Sequence, residues 1–535
     1  MDGGTVVGIK KFMKNNEMTV DIAAVAVILI IFTVAFICWG TIKSVNFCDE
    51  IYTYILSNSD NEFLTYQLES DRWYSGEEIN RILSAGDGFQ FGQVMLNNKG
   101  DVHPPMYYFV IHFLSVLCAG SSSKWIALAA NWIFAMVSLI VLYVLIKEIT
   151  GKRLISICAC LIYITSPAVI STNMFLRMYG MFAMWVLLFI YVTWLLEKKD
   201  DGEKKWHLYV LLGAVTFFGF LTQYYFAVFC VIFTFLYCLY QLFRKKWRRC
   251  VPYVGSLAAS VLVATLFWRT WVRHMFSGYL GGAVKDNAFQ FGKLFSSVRY
   301  GFVHMFTLMY NRLGIFVGLI FAAAVIFLII KKDKHLKYIL SLFLTALFYS
   351  IAVVHLTPMH LLSYRYFFPV VVIAYIAEIL AVYFCLDHLV RDKSTVITAA
   401  ICLVLTILNV IRPVYDKDSV MYVDLKGSYR AQMELLYENK QIPWIYFGYE
   451  NAMMTELMYD ALMADQFIMV NYDSEFLDEQ FTNRNFEFLL FAETGTPYEE
   501  DALLYVEACF PGKLEISQLT EKGLLNVYKV KHTVK

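Results

Sequence analysis

Residues 208–249 read LYVLLGAVTFFGFLTQYYFAVFCVIFTFLYCLYQLFRKKWRR. The 36 residues from Leu208 to Phe243 contain no Asp, Glu, Lys or Arg. A helix needs about 20 apolar residues to cross the hydrocarbon core. The run is therefore too long for one span and predicts two, joined by a tight turn near Thr222-Gln223-Tyr224-Tyr225. The basic block Arg244-Lys245-Lys246-Trp247-Arg248-Arg249 ends it. Lys and Arg gather in the cytoplasmic loops of membrane proteins. The block is thus a marker of topology and calls for no nucleic-acid partner.

The rest of the chain has the same character. Of its 535 residues 59% are hydrophobic and only 17% are charged, with a mean hydropathy of +0.54. Soluble domains are about 45–50% apolar and about 25% charged. This excludes a soluble enzyme, a disordered chain and a secreted disulfide scaffold, and leaves a polytopic α-helical membrane protein. The net charge of +1 carries no information about partners. The 11 cysteines include Cys38, Cys158, Cys160, Cys230 and Cys385 in apolar runs. None has CxxC or Cys/His metal spacing, so they read as small buried hydrophobes.

Other uncharged runs of spanning length are 22–42, 125–146, 154–176, 178–196, 250–268, 313–330 and 394–411. Runs 338–354 and 366–386 join them, the latter with one acid, Glu378. With two spans in 208–243 the expected total is eleven. Lys10, Lys11 and Lys14 precede the first run, which is too long for a signal-peptide core and is followed by no A-x-A-like site. It reads as a retained transmembrane helix. Loop charge decides whether the apolar run 104–120 crosses. If it does not, the inner segments hold 21 Lys and Arg in 59 residues, against 13 in more than twice that length outside. If it crossed, every later basic loop would change sides. The run is therefore read as an amphipathic or re-entrant helix on the outer face.

The resulting domains are a cytoplasmic N-terminus over 1–21, a membrane domain over 22–411 and an extracytoplasmic α/β domain over 412–535. Within the membrane domain, 43–124 and 269–312 are large extracytoplasmic loops, the second with Gly278, Gly281 and Gly282 as a mobile stretch. In the tail, Trp444–Phe447, Phe467–Val470, Phe486–Phe491 and Gly523–Val530 read as strands, and Asn451–Ala464 and Tyr498–Cys509 as helices. That alternation argues a small α/β fold. It carries no G-x-G-x-x-G and no P-loop, so no nucleotide site is assigned.

Residues with chemistry collect at outer junctions. Asp49-Glu50 follows the first span, and Asp101-Val102-His103-Pro104-Pro105 opens the interfacial helix. Arg177-Met178-Tyr179, Gln223-Tyr224-Tyr225 and Tyr364-Arg365-Tyr366 mark three later junctions. Each has a plain reading as a helix flank, an interfacial anchor or an aromatic belt. His112 reads as an ordinary interfacial histidine, Met178 and Met181 as packing, and Glu378 as paired inside the bundle. Five such junctions on one side argue for function, because ionisable groups at membrane depth are costly.

The combination resembles the GT-C glycosyltransferases over about residues 20–410. Asp49-Glu50 after the first span, His103-Pro104-Pro105-Met106-Tyr107-Tyr108, Arg177-Met178-Tyr179 and Arg365-Tyr366 are the elements that match. By these motifs the chain is similar to Rgt-like and ArnT-like bacterial transferases and to protein O-mannosyltransferases. Gln223-Tyr224 departs from the His-Tyr found in many relatives. The resemblance implies a polyprenyl-phosphate-sugar donor used on the outer face of a bacterial plasma membrane. It implies a glycan, lipid or protein acceptor of the cell envelope. Asp49 is then the general base, with Glu50 as second choice, and transfer inverts the anomeric carbon. Arg177, Tyr179, Arg365 and Tyr366 would bind the donor phosphate, since arginine grips phosphate oxygens in pairs. Asp101, His103, Tyr107 and Tyr224 would shape the acceptor side. Two carboxylates and a histidine are also compatible with a divalent cation. A flippase for lipid-linked sugars and a non-catalytic assembly protein are the competing classes. The flippase would favour polar groups at mid-membrane and an internal repeat. The assembly protein would make Asp49→Asn harmless.

Overall fold

The computed structural model describes residues 3–43, 47–60, 68–200, 203–277, 279–448, 459–470, 485–493, 498–510, 513–522 and 525–534. The chain forms two compact units, 1–41, 102–107 and 128–421 in one and 42–101, 108–127 and 422–535 in the other. In chain order the helices begin with α1 (Gly3–Ile42), α2 (Cys48–Asn58), α3 (Gly76–Leu83), α4 (Phe91–Gly100) and α5 (Met106–Leu117). Next come α6 (Lys124–Thr150), α7 (Arg153–Thr165), α8 (Pro167–Met174), α9 (Tyr179–Lys198), α10 (Trp206–Thr222) and α11 (Tyr225–Phe243). They continue as α12 (Cys250–Phe267), α13 (Thr270–Phe276), α14 (Tyr279–Ala288), α15 (Leu294–Tyr310) and α16 (Gly314–Ile330). The last are α17 (Leu336–Leu356), α18 (Phe368–Val390), α19 (Ser394–Tyr415), α20 (Ser428–Glu438) and α21 (Tyr498–Cys509).

The first unit is the membrane unit. Among the described residues seven helices are long and apolar enough to cross a membrane, or nine if each of two bent pairs is one span. Within that count Phe368–Tyr415 is a single stretch, but it folds as α18 and α19 around a 3-10 turn at Arg391–Lys393. The protein is thus a multi-pass helical membrane protein. Apolar side chains such as Val231, Leu262 and Ile315 are exposed along these helices, as a lipid-facing surface requires. The uncharged run 208–243 divides at the expected turn into α10 and α11.

One expectation needs correction. Run 154–176 is not one straight span, because α7 and α8 meet at 59° across Ser166-Pro167. Proline has no N–H for the helix ladder and pushes the residue before it out of helical geometry. Ser166 accordingly lies at φ −62°, ψ 122°. The segment 269–312 between spans forms α13, α14 and all of α15. Charges at Arg269, Arg273, Lys285, Lys293 and Arg299 interrupt the apolar run without breaking the helical period. Gly281 and Gly282 lie inside α14, and Gly278 is outside the described residues. Helix α15 then meets α16 at 103°.

Helix α5 has 12 residues, a length of about 18 Å at 1.5 Å per residue. A six-stranded sheet holds β1 (Trp73–Tyr74), β2 (Trp444–Phe447), β3 (Phe467–Val470), β4 (Phe486–Glu493), β5 (Lys513–Lys522) and β6 (Leu525–Thr533). Their order is β1-β3-β2-β4-β6-β5. β2 runs parallel to β3 and β4, and the other pairs are antiparallel. Ile445, Phe447, Ile468, Val470, Phe488 and Leu490 form its buried core with Ala502 and Val506 of α21. The tail strands and α21 lie where the alternation predicts, with β5 in addition. Most of the helix expected over Asn451–Ala464 is outside the described residues. β1 comes from far upstream and is fastened on both sides, by Asp71 N–H to Met469 O at 2.9 Å and Gly76 N–H to Ala464 O at 3.1 Å. A Cβ on Gly76 would lie 2.4 Å from Leu462 O, so only glycine permits this approach.

Candidate functional site

The membrane unit brings seven of the singled-out residues into one neighbourhood or its immediate supports. Arg177 lies between α8 and α9 and is only 3% exposed. Asn131, two turns into α6, donates through its Nδ2 to Asn173 O at 3.0 Å and Phe175 O at 2.8 Å. Tyr107 donates to Asn131 Oδ1 at 3.3 Å. The three contacts fix the segment leading to Arg177. Arg177 Nη2 meets His103 Nδ1 at 3.3 Å. A guanidinium can only donate, so the facing imidazole nitrogen accepts.

Aromatic rings extend the site. Tyr179 stacks on Phe175 at 5.8 Å and meets Tyr366 edge-on at 6.2 Å. Arg365 Cζ lies 6.0 Å from the Phe175 ring centre and 5.3 Å from that of Tyr366. Tyr366 also packs on Tyr225 at 5.2 Å, and its carbonyl accepts from Tyr349 at 3.0 Å. Tyr225 shares a hydrogen bond of 2.6 Å with Thr357.

A cleft of about 800 Å³, counting its open mouth, is lined by His103, Gln223, Tyr224, Tyr225, His274 and Tyr366. On its wall Trp268 Nε1 donates to Tyr224 Oη at 3.0 Å, and Tyr224 Oη lies 3.1 Å from His274 Nδ1. Indole nitrogen only donates, so the Tyr224 hydroxyl oxygen accepts from Trp268. His274 and Asn131 were not anticipated. A lone Asn inside an apolar run is a signal for the second. His274 was hidden in the stretch read as a loop.

The remaining three belong to the second unit. Asp49 and Glu50 open α2, where a carboxylate faces the positive end of the helix dipole. Their surroundings differ. Asp49 is half-buried, whereas Glu50 is 1% exposed. Lys43 Nζ donates to Glu50 Oε1 at 2.9 Å and Oε2 at 3.1 Å, and also reaches Tyr422 O at 3.3 Å. Phe47 N–H donates to Glu50 Oε2 at 2.8 Å, half of a capping box. Burial pushes the Lys43 ammonium below the usual lysine range, and Glu50 pulls it back up. Lys124 donates to the Lys43 carbonyl. Glu50 is therefore held inward, both of its oxygens accepting from Lys43. Asp101 is half-buried at the C-terminal end of α4.

His112 is not a plain interfacial histidine but a buried staple. Its Nε2 accepts from Gln90 N–H at 2.8 Å, so the proton sits on Nδ1, 3.3 Å from Asn58 Oδ1. Burial lowers its pKa below the usual 6.5. Met178 and Met181 are buried packing residues, and Glu378 accepts a hydrogen bond from Tyr310. Among the described residues no group of three His, Cys, Asp or Glu is placed to hold a metal ion.

Comparison with known proteins adds three findings. Two crystal structures of ArnT from Cupriavidus metallidurans are similar. The one bound to undecaprenyl phosphate is 11% identical with a TM-score of 0.47, covering 94% of this chain and 97% of that one. The apo form is 12% identical at 0.49, covering 90% and 96%. The apo oligosaccharyltransferase of Archaeoglobus fulgidus is 13% identical at 0.43, covering 91% and 69%. No curated protein sequence matches. Residues 102–268, the stretch that carries His103, Tyr107, Arg177, Tyr179 and Tyr224, match the family model described as dolichyl-phosphate-mannose-protein mannosyltransferase.

Proposed function

We propose that the protein is a membrane glycosyltransferase that moves a sugar from a polyprenyl-phosphate donor to an acceptor hydroxyl on the outer face of the membrane. The observation that carries the reading is Arg177, buried against His103 beside the cleft lined by His103, Tyr224 and Tyr366. A buried guanidinium next to a cleft suits a phosphate, whose oxygens it can meet in pairs. The resemblance of residues 102–268 to a mannosyltransferase family supports the same class.

In the proposed reaction the Asp49 carboxylate takes the proton of the acceptor hydroxyl. The freed oxygen attacks the anomeric carbon, and the bond from that carbon to the phosphate oxygen breaks. The electron pair stays on the leaving polyprenyl phosphate. Arg177 and Arg365 would stabilise the charge that grows there, with Tyr179 and Tyr366 beside them. One displacement with one base inverts the sugar. Asp49 is preferred to Glu50 because both Glu50 oxygens already accept from Lys43. Asp101, His103, Tyr107 and Tyr224 are assigned to acceptor binding and shaping. No step runs through a metal.

The test uses purified full-length protein and a panel of radiolabelled polyprenyl-phosphate sugars. Wild type should turn over one of them, and Asp49→Asn should lose about 10²–10⁴-fold, the usual weight of a positioned base. Unchanged turnover in Asp49→Asn removes the base assignment. Tight donor binding without turnover by wild type favours the flippase.

A further inference from the structure

The membrane unit has a second cleft, at the opposite helix ends. It is a shallow groove formed by the C-terminal ends of α6, α9 and α11 and the first two turns of α17. These are the ends that adjoin the Lys- and Arg-rich loops. Leu145, Ile149, Ile190 and Phe233 make its depth apolar.

Its polar groups are arranged unequally. Glu197 is saturated, with Arg249 at 3.2 Å, Tyr237 at 3.2 Å, Arg244 at 3.8 Å and Gln241 also donating to it. Lys337 makes no ion pair among the described residues. Its ammonium instead lies over two rings, 4.5 Å from the centre of Tyr338 and 5.5 Å from that of Tyr240. Tyr338 is fixed in turn by Trp194, ring to ring at 4.7 Å. The Trp194 Nε1 atom is buried and has no hydrogen-bond partner among the described residues. The cleft therefore offers an unpaired cation on an aromatic seat, an unused N–H donor and an apolar slot, among three cations and one anion.

We propose that this cleft binds one anionic phospholipid of the adjoining leaflet. The phosphate meets Lys337, an acyl chain lies along Leu145, Ile149 and Phe233, and a glycerol-ester oxygen accepts from Trp194 Nε1. Surface charge alone attracts anionic lipid diffusely. The aromatic seat of Lys337 and the slot beneath it make a discrete site. This inference does not depend on the reaction proposed for the other end.

The full-length protein, stripped of lipid in detergent, is given equimolar phosphatidylglycerol and phosphatidylcholine, and retained lipid is counted by native mass spectrometry. The assay is run at about 0.5 M salt, where attraction to exposed basic loops is screened. Wild type should retain phosphatidylglycerol with a preference of about five-fold or more, the weight of one near-surface cation. Lys337→Gln should bring the preference close to parity, and Lys337→Arg should keep it. Ser341→Phe, which fills the slot without changing charge, should lose the retained lipid. Equal retention of both lipids by wild type overturns the proposal. So does an undiminished preference in a folded Lys337→Gln, and Ser341→Phe decides the matter if that variant does not fold.

Discussion

In the membrane unit, the segment bearing Arg177 hangs on neutral amide bonds, Asn131 to the carbonyls of Asn173 and Phe175. In the second unit, the helix that starts at Asp49 is tied down by charge, Lys43 against Glu50, both almost fully buried. Neutral hydrogen bonds contribute about 0.5–1.5 kcal/mol each, and a buried neutral partner left unmade costs about 1–3 kcal/mol. A buried ion pair broken on one side costs about 3–5 kcal/mol, because the other charge is stranded. Damage near Arg177 should therefore silence the site in a folded protein, whereas damage at Glu50 should loosen the fold itself.

The largest effect should come from Glu50→Gln. It strands Lys43 and should lower unfolding stability in detergent by about 3–5 kcal/mol. Replacing both partners, as Lys43→Met with Glu50→Leu, should recover most of that loss. A Glu50→Gln protein of normal stability without turnover would break the contrast and return Glu50 to the chemistry. Next is Arg177→Ala, which should lose about 10²–10³-fold in turnover of the lipid-linked donor, the usual weight of one group that stabilises developing charge. Its melting temperature should stay close to that of wild type. A large drop there would mean that Arg177 also holds the fold.

The smallest effect sharpens the contrast through pH. His112 is neutral in the fold, its pKa held below 6.5 by burial. On acidification the unfolded chain takes up the proton first. Stability from this staple is complete above about pH 6.5 and declines as pH falls toward the lower folded value. Thermal melts between pH 7.5 and pH 5 should show the decline in wild type and a weaker one in His112→Gln. Equal slopes would remove His112 as the cause.

The sequence was legible where a single run of residues decides the outcome. The 36-residue uncharged run could only be two helices, and the tail strands followed from their alternation. Ser166-Pro167 carried a readable break that the uncharged length of 154–176 concealed. β5, with Leu514 and Ile516 alternating with Glu515 and Ser517, was also readable. It stayed hidden because its charged ends blur the apolar face. Other features depend on partners distant in sequence. No local pattern marks Trp73-Tyr74 as a strand, since only pairing with Phe467-Ile468 makes it one. Of the outer junctions singled out in the sequence, two come together where Arg177 meets His103. The unequal fates of Asp49 and Glu50 were not legible, because Lys43 and Tyr422 set them. Asn131 and His274 act through neighbours 42 and 50 residues away, beyond any local motif.

The strand at Trp73-Tyr74 has a consequence for biogenesis. It pairs with β3, and Asp71 bonds to Met469. A ribosome adding about 5–20 residues per second makes that partner roughly 20–80 s later. For that interval residues 68–76 have no sheet to join, while every helix of the membrane unit after α1 emerges in between. Assembly of the second unit is thus a late event in the life of each chain, and one that a C-terminal truncation would forestall however well the bundle inserts.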